Sequence, residues 1–290
     1  MEKYIINGGN KLYGSVKIQS AKNAVLPILA AAVLTDGKVE ILNVPPISDV
    51  KNMIKILSCL GCKAEYVNGN IIIDSSCADC FEIPSELAHE LRSSVFLLGS
   101  VISRFHMAKI AYPGGCDIGL RPVDLHLTGL KRLGVEITEK NGYILCKCDK
   151  LRGNEIMLDC PSVGATENIM LASVKAEGVT VIRNAAREPE IEDLQKFLNS
   201  IGAKVSGAGS GTVRIDGVKE LCGCAYLPIP DRIEAGTFLI AAAMCGGEVS
   251  VENVCPENIS SLIHKLRENA CKIHTNSDKI ILENYRRLSS

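Results

Sequence analysis

The chain has 290 residues, 47% of them apolar, with 25 glycines, so it can bury a large core and is not globally disordered. Lys and Arg number 32 against 33 Asp and Glu, a net charge of -1, and aromatics are 4% with no Trp. That excludes a broad basic face for a nucleic-acid backbone and leaves few stacking platforms for bases.

The first residues, MEKYIINGGNKLYG, lack the charged and apolar regions of a signal peptide. The longest apolar stretches, such as Ala24–Leu34, fall far short of a bilayer span. Thirteen scattered cysteines suit a reducing compartment better than a disulfide framework. The expectation is a cytoplasmic protein with neither membrane nor nucleic-acid partner.

In chain order, the first predicted element is an N-terminal strand pair over Tyr4–Ile18. Its KLYGSV (Lys11–Val16) matches KLRGNE (Lys150–Glu155) and KELCGC (Lys219–Cys224), so it reads as a linker strand between repeats. Four units then follow at a period of roughly 70 residues. Their second halves are an amphipathic helix, a tight turn and a two-stranded hairpin: Met53–Asp74, Leu127–Cys146, Leu194–Asp216 and Leu262–Glu283. Gly61, Gly134 and Gly202 stand where a left-handed helix C-cap is needed, with Asn269 taken as the fourth. Asn68-Gly69 and Asn141-Gly142 predict two-residue hairpin turns.

The first halves match as well. Ala24–Val44, Glu167–Ala185 and Gly236–Val254 each give a small-residue helix, a turn and a strand ending near Asn43, Asn184 or Asn253. These helices are apolar nearly all round, so they belong inside, with strands outside. The expected fold is α/β, an inside-out barrel of β-α-β-α-β-β repeats. Residues 21–228 would form one complete three-repeat domain. Residues 1–20 and 229–290 would form a partial second domain, one repeat plus the N-terminal strands. A lone repeat cannot cover its own faces, so the fourth would dock, dimerise or stay half-exposed.

Repeat two breaks the pattern. Where its sisters use short links, it carries YPGGCDIGLRPVDLH (Tyr112–His126), longer and rich in glycine. Such an insertion is where function is expected. Cys116 sits in it, with Arg121 five residues on to favour a thiolate. A partly ionised thiol donates a proton or attacks as a nucleophile; the plain alternative is a surface cysteine in a glycine loop. Lys22 and Asn23 precede the buried helix of repeat one, Arg92 that of repeat two and Arg232 that of repeat four. Cations beside helix N-termini can bind anions, or can simply be solvated turn charges. His126 follows the special loop and can reach a ligand.

Cys59-x2-Cys62 and Cys77-x2-Cys80 have nearly zinc-ribbon spacing, but the repeat accounts for them, and neither metal nor cofactor is expected. Gly207–Gly211 is glycine-rich but precedes a strand rather than a helix, which excludes a phosphate loop.

At PGGCDIGLRPVDLH the chain resembles a known family. Together with SAKNAVLPI (Ser20–Ile28), LRSSVFLLG (Leu91–Gly99), PSVGATENIM (Pro161–Met170), NAAREPEIEDL (Asn184–Leu194) and PDRIEAGTFL (Pro230–Leu239), it resembles the UDP-N-acetylglucosamine 1-carboxyvinyltransferases, enolpyruvyl transferases of peptidoglycan synthesis. The resemblance implies two inside-out barrels with substrates between them. It implies transfer of the enolpyruvyl group of phosphoenolpyruvate to the sugar 3-hydroxyl, by addition and elimination, with release of phosphate. Cys116 would then donate a proton to the enolpyruvyl methylene carbon and be the point of attack of fosfomycin. Lys22 and Asn23 would contact phosphoenolpyruvate. Arg92, the run Arg121, Pro122, Val123, Asp124 and Leu125, and the loop of Ser162, Val163 and Gly164 would hold UDP-N-acetylglucosamine. Some members have Lys where this chain has Cys160. The family has six repeats and this sequence four, and an aspartate and several arginines of the family site match nothing here. Taken as a whole polypeptide, the chain is therefore expected not to complete the reaction, and the alternative is a nucleotide-sugar-binding module. The shikimate-directed sister enzyme lacks the cysteine loop.

Overall fold

The computed structural model describes residues 3–112 and 123–285, the Arg92 side chain excepted. By its internal contacts the chain divides into two compact units, Lys22–Pro228, and Met1–Ala21 with Ile229–Ser290. In chain order, β1 is Leu12–Lys17. Repeat one has α1 (Lys22–Ala32), β2 (Lys38–Ile41), α2 (Ser48–Cys59), β3 (Lys63–Val67) and β4 (Asn70–Asp74). Repeat two has β5 (Glu82–Ile83), α3 (Ser85–Glu90), a 3-10 turn Arg92–Phe96, α4 (Leu97–Phe105), β6 (Met107–Ala111), α5 (Asp124–Arg132), β7 (Glu136–Lys140) and β8 (Tyr143–Lys147). Repeat three has β9 (Glu155–Met157), α6 (Val163–Ser173), β10 (Val179–Arg183), α7 (Pro189–Ser200), β11 (Lys204–Ser206) and β12 (Thr212–Asp216). After β13 (Ala225–Tyr226), repeat four has α8 (Arg232–Cys245), β14 (Gly247–Glu252), a 3-10 turn Pro256–Ile259, α9 (Ser260–Glu268), β15 (Lys272–Thr275) and β16 (Lys279–Asn284).

The repeats build four sheets of one design, β13-β2-β4-β3, β5-β6-β8-β7, β9-β10-β12-β11 and β1-β14-β16-β15. In each, the outer linker strand runs parallel to its neighbour and the other pairings are antiparallel. Repeats one and four do not receive their linker strand from the residues just before them. β13 completes the sheet of repeat one, and β1 completes that of repeat four. The larger unit is thereby closed by its own far end. Tyr226 secures the closure, its hydroxyl donating 2.7 Å to Asp193 Oδ1 on α7 and its ring meeting Phe197 edge-on at 5.4 Å.

In the larger unit the small-residue helices are inside. Ala24–Ala32 of α1, Leu97–Ser103 of α4 and Ala165–Ser173 of α6 are all buried, and α4 packs on both α1 and α6. Gly99 makes that last approach possible: a Cβ there would lie 2.2 Å from the Asn168 carbonyl oxygen. The sheets lie outside, with alternating buried and exposed residues, as in β8 and β12. Arg104, at the end of α4, donates to the carbonyls of Val33 (2.8 Å), Thr35 (2.7 Å) and Ser75 (2.8 Å). It thus answers, from repeat two, carbonyls of repeat one just past α1 and just past β4.

The smaller unit has its own core, Ile18, Leu239, Val251, Ile263, Ile280 and Leu282 among others. α8 buries Ala235, Gly236, Leu239, Ala242 and Ala243, while Ile233, Phe238, Ile240 and Met244 are exposed.

Three expectations need correction. Residues 3–11 form no strand, and Tyr4, Ile5 and Ile6 are exposed. The buried helix of repeat two is divided into α3, a 3-10 turn and α4, so Arg92 opens the turn rather than the helix. The left-handed residue after α9 is Ala270, φ +61°, and not Asn269, which is the C-cap at φ -86°. Gly61, Gly134 and Gly202 do adopt positive φ, and the Asn-Gly hairpins at 68–69 and 141–142 have positive φ at both positions, as mirror-image turns require.

Candidate functional site

In repeats one, three and four, the strand before the amphipathic helix ends in an Asn at positive φ: Asn43, Asn184 and Asn253, at +54° to +55°. The side-chain amides of Asn184 and Asn253 donate to Leu158 O and Ile18 O, binding the turn to the linker strand. Repeat two has no such Asn. After β6 the chain passes through Tyr112 to residues 113–122, which lie outside those described, as do Cys116, Arg121 and Pro122 among them.

The chain returns at Val123, the half-buried N-cap of α5, followed by exposed Asp124 and half-buried Leu125. Val123 and Leu125 pack on the core, which fixes the start of α5. Ser162 caps α6, its hydroxyl accepting from Ala165 N at 3.3 Å, and Ser162, Val163 and Gly164 are half-buried. The first turns of α5 and α6 meet: a Cβ on Gly164 would lie 3.1 Å from both His126 Cε1 and Phe96 Cε1. The 3-10 turn that Arg92 opens packs on α1 as well as α6. Helix N-termini and this turn are thus gathered in one region of the larger unit, and N-termini favour anions.

Lys22 is the first residue of α1, and Asn23 beside it is exposed. Lys22 Nζ is 2.9 Å from Asp49 Oδ2 on α2, with side-chain exposures of 45% and 31%. A pair so exposed contributes about 0–1 kcal/mol, so a multiply charged anion can displace Asp49. Arg232 opens α8 behind the cap Asp231, which accepts from Ile233 N and Glu234 N.

Asn168, on buried α6, has no signal in the sequence beyond being polar inside an apolar helix. Its Oδ1 accepts from Gly99 N at 2.6 Å, and its Nδ2 donates to Val95 O at 3.1 Å and lies 3.0 Å from His126 Nδ1. Since Gly99 N–H fixes which amide atom is oxygen, Nδ2 must also donate to His126. That imidazole is therefore neutral, with its proton on Nε2, the atom facing Gly164. Asn168→Ala removes a buried acceptor and donor together. It is expected to lower unfolding free energy by about 2–4 kcal/mol and to release the His126 tautomer. Urea unfolding and His126 ring nitrogen shifts check this; an unchanged ring spectrum would show that Asn168 does not set the ring.

Burial pushes several thiols up, among them Cys62, Cys148 and Cys271, and Cys146 to about 12, so these are poor nucleophiles. Among the described residues no three His, Cys, Asp or Glu side chains converge as a metal site. Gly207–Gly211 forms the β11–β12 hairpin. A cavity of about 330 Å³ beside Gly134, Lys147 and Arg152 includes none of the candidate residues. No helix among the described residues is long and apolar enough to cross a membrane.

The family model for EPSP synthase (3-phosphoshikimate 1-carboxyvinyltransferase) matches residues 6–289. The chain belongs to the EPSP synthase family. Within this family, UDP-N-acetylglucosamine 1-carboxyvinyltransferase 2 of Caldanaerobacter subterraneus is 55% identical over 280 residues, covering 97% of this chain and 67% of that protein. The UDP-N-acetylglucosamine 1-carboxyvinyltransferase of Proteus mirabilis is 48% identical over 284 residues, 98% of this chain and 67% of that protein. The chain thus spans about two thirds of the length of these relatives. Among solved structures, the enolpyruvyl transferase NikO from Streptomyces tendae has a TM-score of 0.86 at 22% identity, covering 98% of this chain and 68% of that one. EPSP synthase from Acinetobacter baumannii has a TM-score of 0.74 at 18% identity, covering 97% and 67%. At those identities the two structures show the fold, an enolpyruvyl transferase α/β fold.

Proposed function

We propose that the chain acts in enolpyruvyl transfer from phosphoenolpyruvate to the 3-hydroxyl of UDP-N-acetylglucosamine, a cytoplasmic step of peptidoglycan synthesis. The observation that carries this reading is 47–55% identity, over nearly the whole chain, to proteins bearing that activity's name. The sugar hydroxyl adds to C2 of phosphoenolpyruvate and releases its proton to solvent while C3 takes a proton, giving a tetrahedral ketal. Loss of a C3 proton and of phosphate then restores the double bond. Cys116 supplies the C3 proton, and is also the nucleophile that the epoxide of fosfomycin would alkylate. Lys22 and Asn23 hold the phosphoenolpyruvate anion once Asp49 is displaced. Arg92, Arg121 to Leu125, and Ser162 to Gly164 hold the nucleotide sugar, the diphosphate lying on the first turn of α6.

Calorimetric titration with UDP-N-acetylglucosamine, followed by an assay of phosphate release from phosphoenolpyruvate, tests this. Saturable binding with release that needs both substrates is the expected result. Binding without release supports the second reading, a nucleotide-sugar-binding module. No binding overturns both.

A further inference from the structure

Asparagine is followed by glycine at Asn7-Gly8, Asn68-Gly69 and Asn141-Gly142. Such a pair can react with itself. The glycine nitrogen carries no neighbouring Cβ to crowd it, so it can approach the side-chain carbonyl carbon of the asparagine. All three asparagines are exposed, so access to water does not tell them apart. Their backbones do.

Asn68 and Asn141 are held at left-handed φ, +51° and +54°, in two-residue hairpin turns. The cross-strand pairs Val67–Asn70 and Lys140–Tyr143 flank the two turns. Left-handed backbone keeps ψ near ~+47°. A ring through the asparagine Cα, Cβ and Cγ, the following nitrogen and the backbone carbonyl carbon forces ψ far from that value. The turn, and the strand pair beside it, must therefore open before either of these asparagines reacts.

Asn7 is under no such constraint. Residues 3–11 belong to no helix or strand, and φ of Asn7 is not left-handed. A Cβ on Gly8 would meet no heavy atom within 4 Å. Among the described residues no hydrogen bond engages the Gly8 N–H. The bond nearest to it, Asn10 Nδ2 donating to Asn7 O at 3.4 Å, leaves the Asn7 side chain free. No element has to come apart for Asn7 to turn toward Gly8.

We propose that Asn7 is a site of spontaneous deamidation that reacts ahead of Asn68 and Asn141. Base in solvent takes the Gly8 N–H proton, and the nitrogen forms a bond to Asn7 Cγ. The side-chain nitrogen leaves as ammonia, and a five-membered succinimide remains. Water then adds to one of the two ring carbonyls and that carbonyl's bond to the Gly8 nitrogen breaks. Opening at Cγ gives aspartate; opening at the backbone carbonyl gives isoaspartate, with the chain running through the former side chain. In sum, an amide and water become a carboxylate and ammonia, with no oxidation or reduction. Either product places a new negative charge ahead of Lys11 and β1, in a segment that contributes nothing to the core of the smaller unit.

The test holds the folded chain in mildly alkaline buffer and follows all three sites by peptide mapping and tandem mass spectrometry. Asn7 is expected to convert to aspartyl and isoaspartyl forms about tenfold or more faster than Asn68 and Asn141, whose turns must first open. In denaturing urea the three rates should converge, because the hairpins are gone. Gly8→Ala should slow Asn7 alone, since its Cβ crowds the attacking nitrogen. Asn68 or Asn141 converting as fast as Asn7 in the folded chain would overturn the proposal. So would an Asn7 that stays intact in the folded chain yet reacts in urea, which would show that the fold holds residues 3–11 after all.

Discussion

Cys116→Ser is expected to abolish covalent labelling by fosfomycin and to lower any phosphate release that needs both substrates by about 10²-fold or more. The physical reason is acidity. A thiol ionises near pH 8.5, and lower beside cations, whereas a serine hydroxyl near neutral pH neither ionises nor gives up its proton readily. Nucleotide-sugar affinity should stay within about threefold, because the proposed contacts with that substrate are Arg92, Arg121–Leu125 and Ser162–Gly164 and do not include Cys116. Intact mass after fosfomycin treatment gives the clearest reading: one adduct per wild-type chain, none on the variant. An adduct on the variant would move the nucleophile to another cysteine. The buried thiols, Cys146 above all, are poorly placed to be it.

Arg104→Ala is the substitution expected to damage the fold most. The guanidinium is 11% exposed and serves three carbonyls, on Val33, Thr35 and Ser75, residues that are themselves fully buried, with Asp36 3.2 Å away. Truncation leaves the Val33 and Thr35 carbonyls, just past α1, short of a donor the helix cannot supply, while Ser75 O keeps the Ala78 N–H. The expected cost is about 3–5 kcal/mol, or a fall of about 10 °C in Tm for a unit of this size. Arg104→Lys should recover only part of it, since one ammonium cannot span carbonyls that a planar fork reaches together. Thermal unfolding by circular dichroism decides the matter. A loss under about 1 kcal/mol would mean that water replaces the guanidinium, so that it is not what joins repeats one and two.

Much of the architecture was legible because the repeat makes each signal appear several times. Gly61, Gly134 and Gly202 identify one another, and KLYGSV declares itself a linker by its likeness to KLRGNE and KELCGC, so its place in the sheet of repeat four follows. Failures came where one copy deviates alone. Ala270 occupies a left-handed position without a residue type that advertises it, while neighbouring Asn269 has the type without the geometry. Tyr4–Ile6 has strand-forming residues, but pairing depends on an edge that local sequence does not show.

The site was legible in part. The loop of repeat two stands out against its sisters, Lys22 and His126 stand out by position, and Ser162 is reached only through the family resemblance. The partners of those residues were not visible. Asp49 meets Lys22 only because α2 packs beside α1, and Asn168 serves Val95, Gly99 and His126 across separations that no local pattern records. The complete burial of Glu167, an acid within an otherwise apolar helix, becomes visible only in the fold.

The most direct measurement of the central claim is a titration of isotope-labelled protein with UDP-N-acetylglucosamine, followed by backbone amide shifts. The account predicts changes concentrated at Val123–Leu125 and Ser162–Gly164, saturating together with a single dissociation constant. Changes confined to other segments, such as the Gly207–Gly211 hairpin, or no saturable change at all, would contradict it.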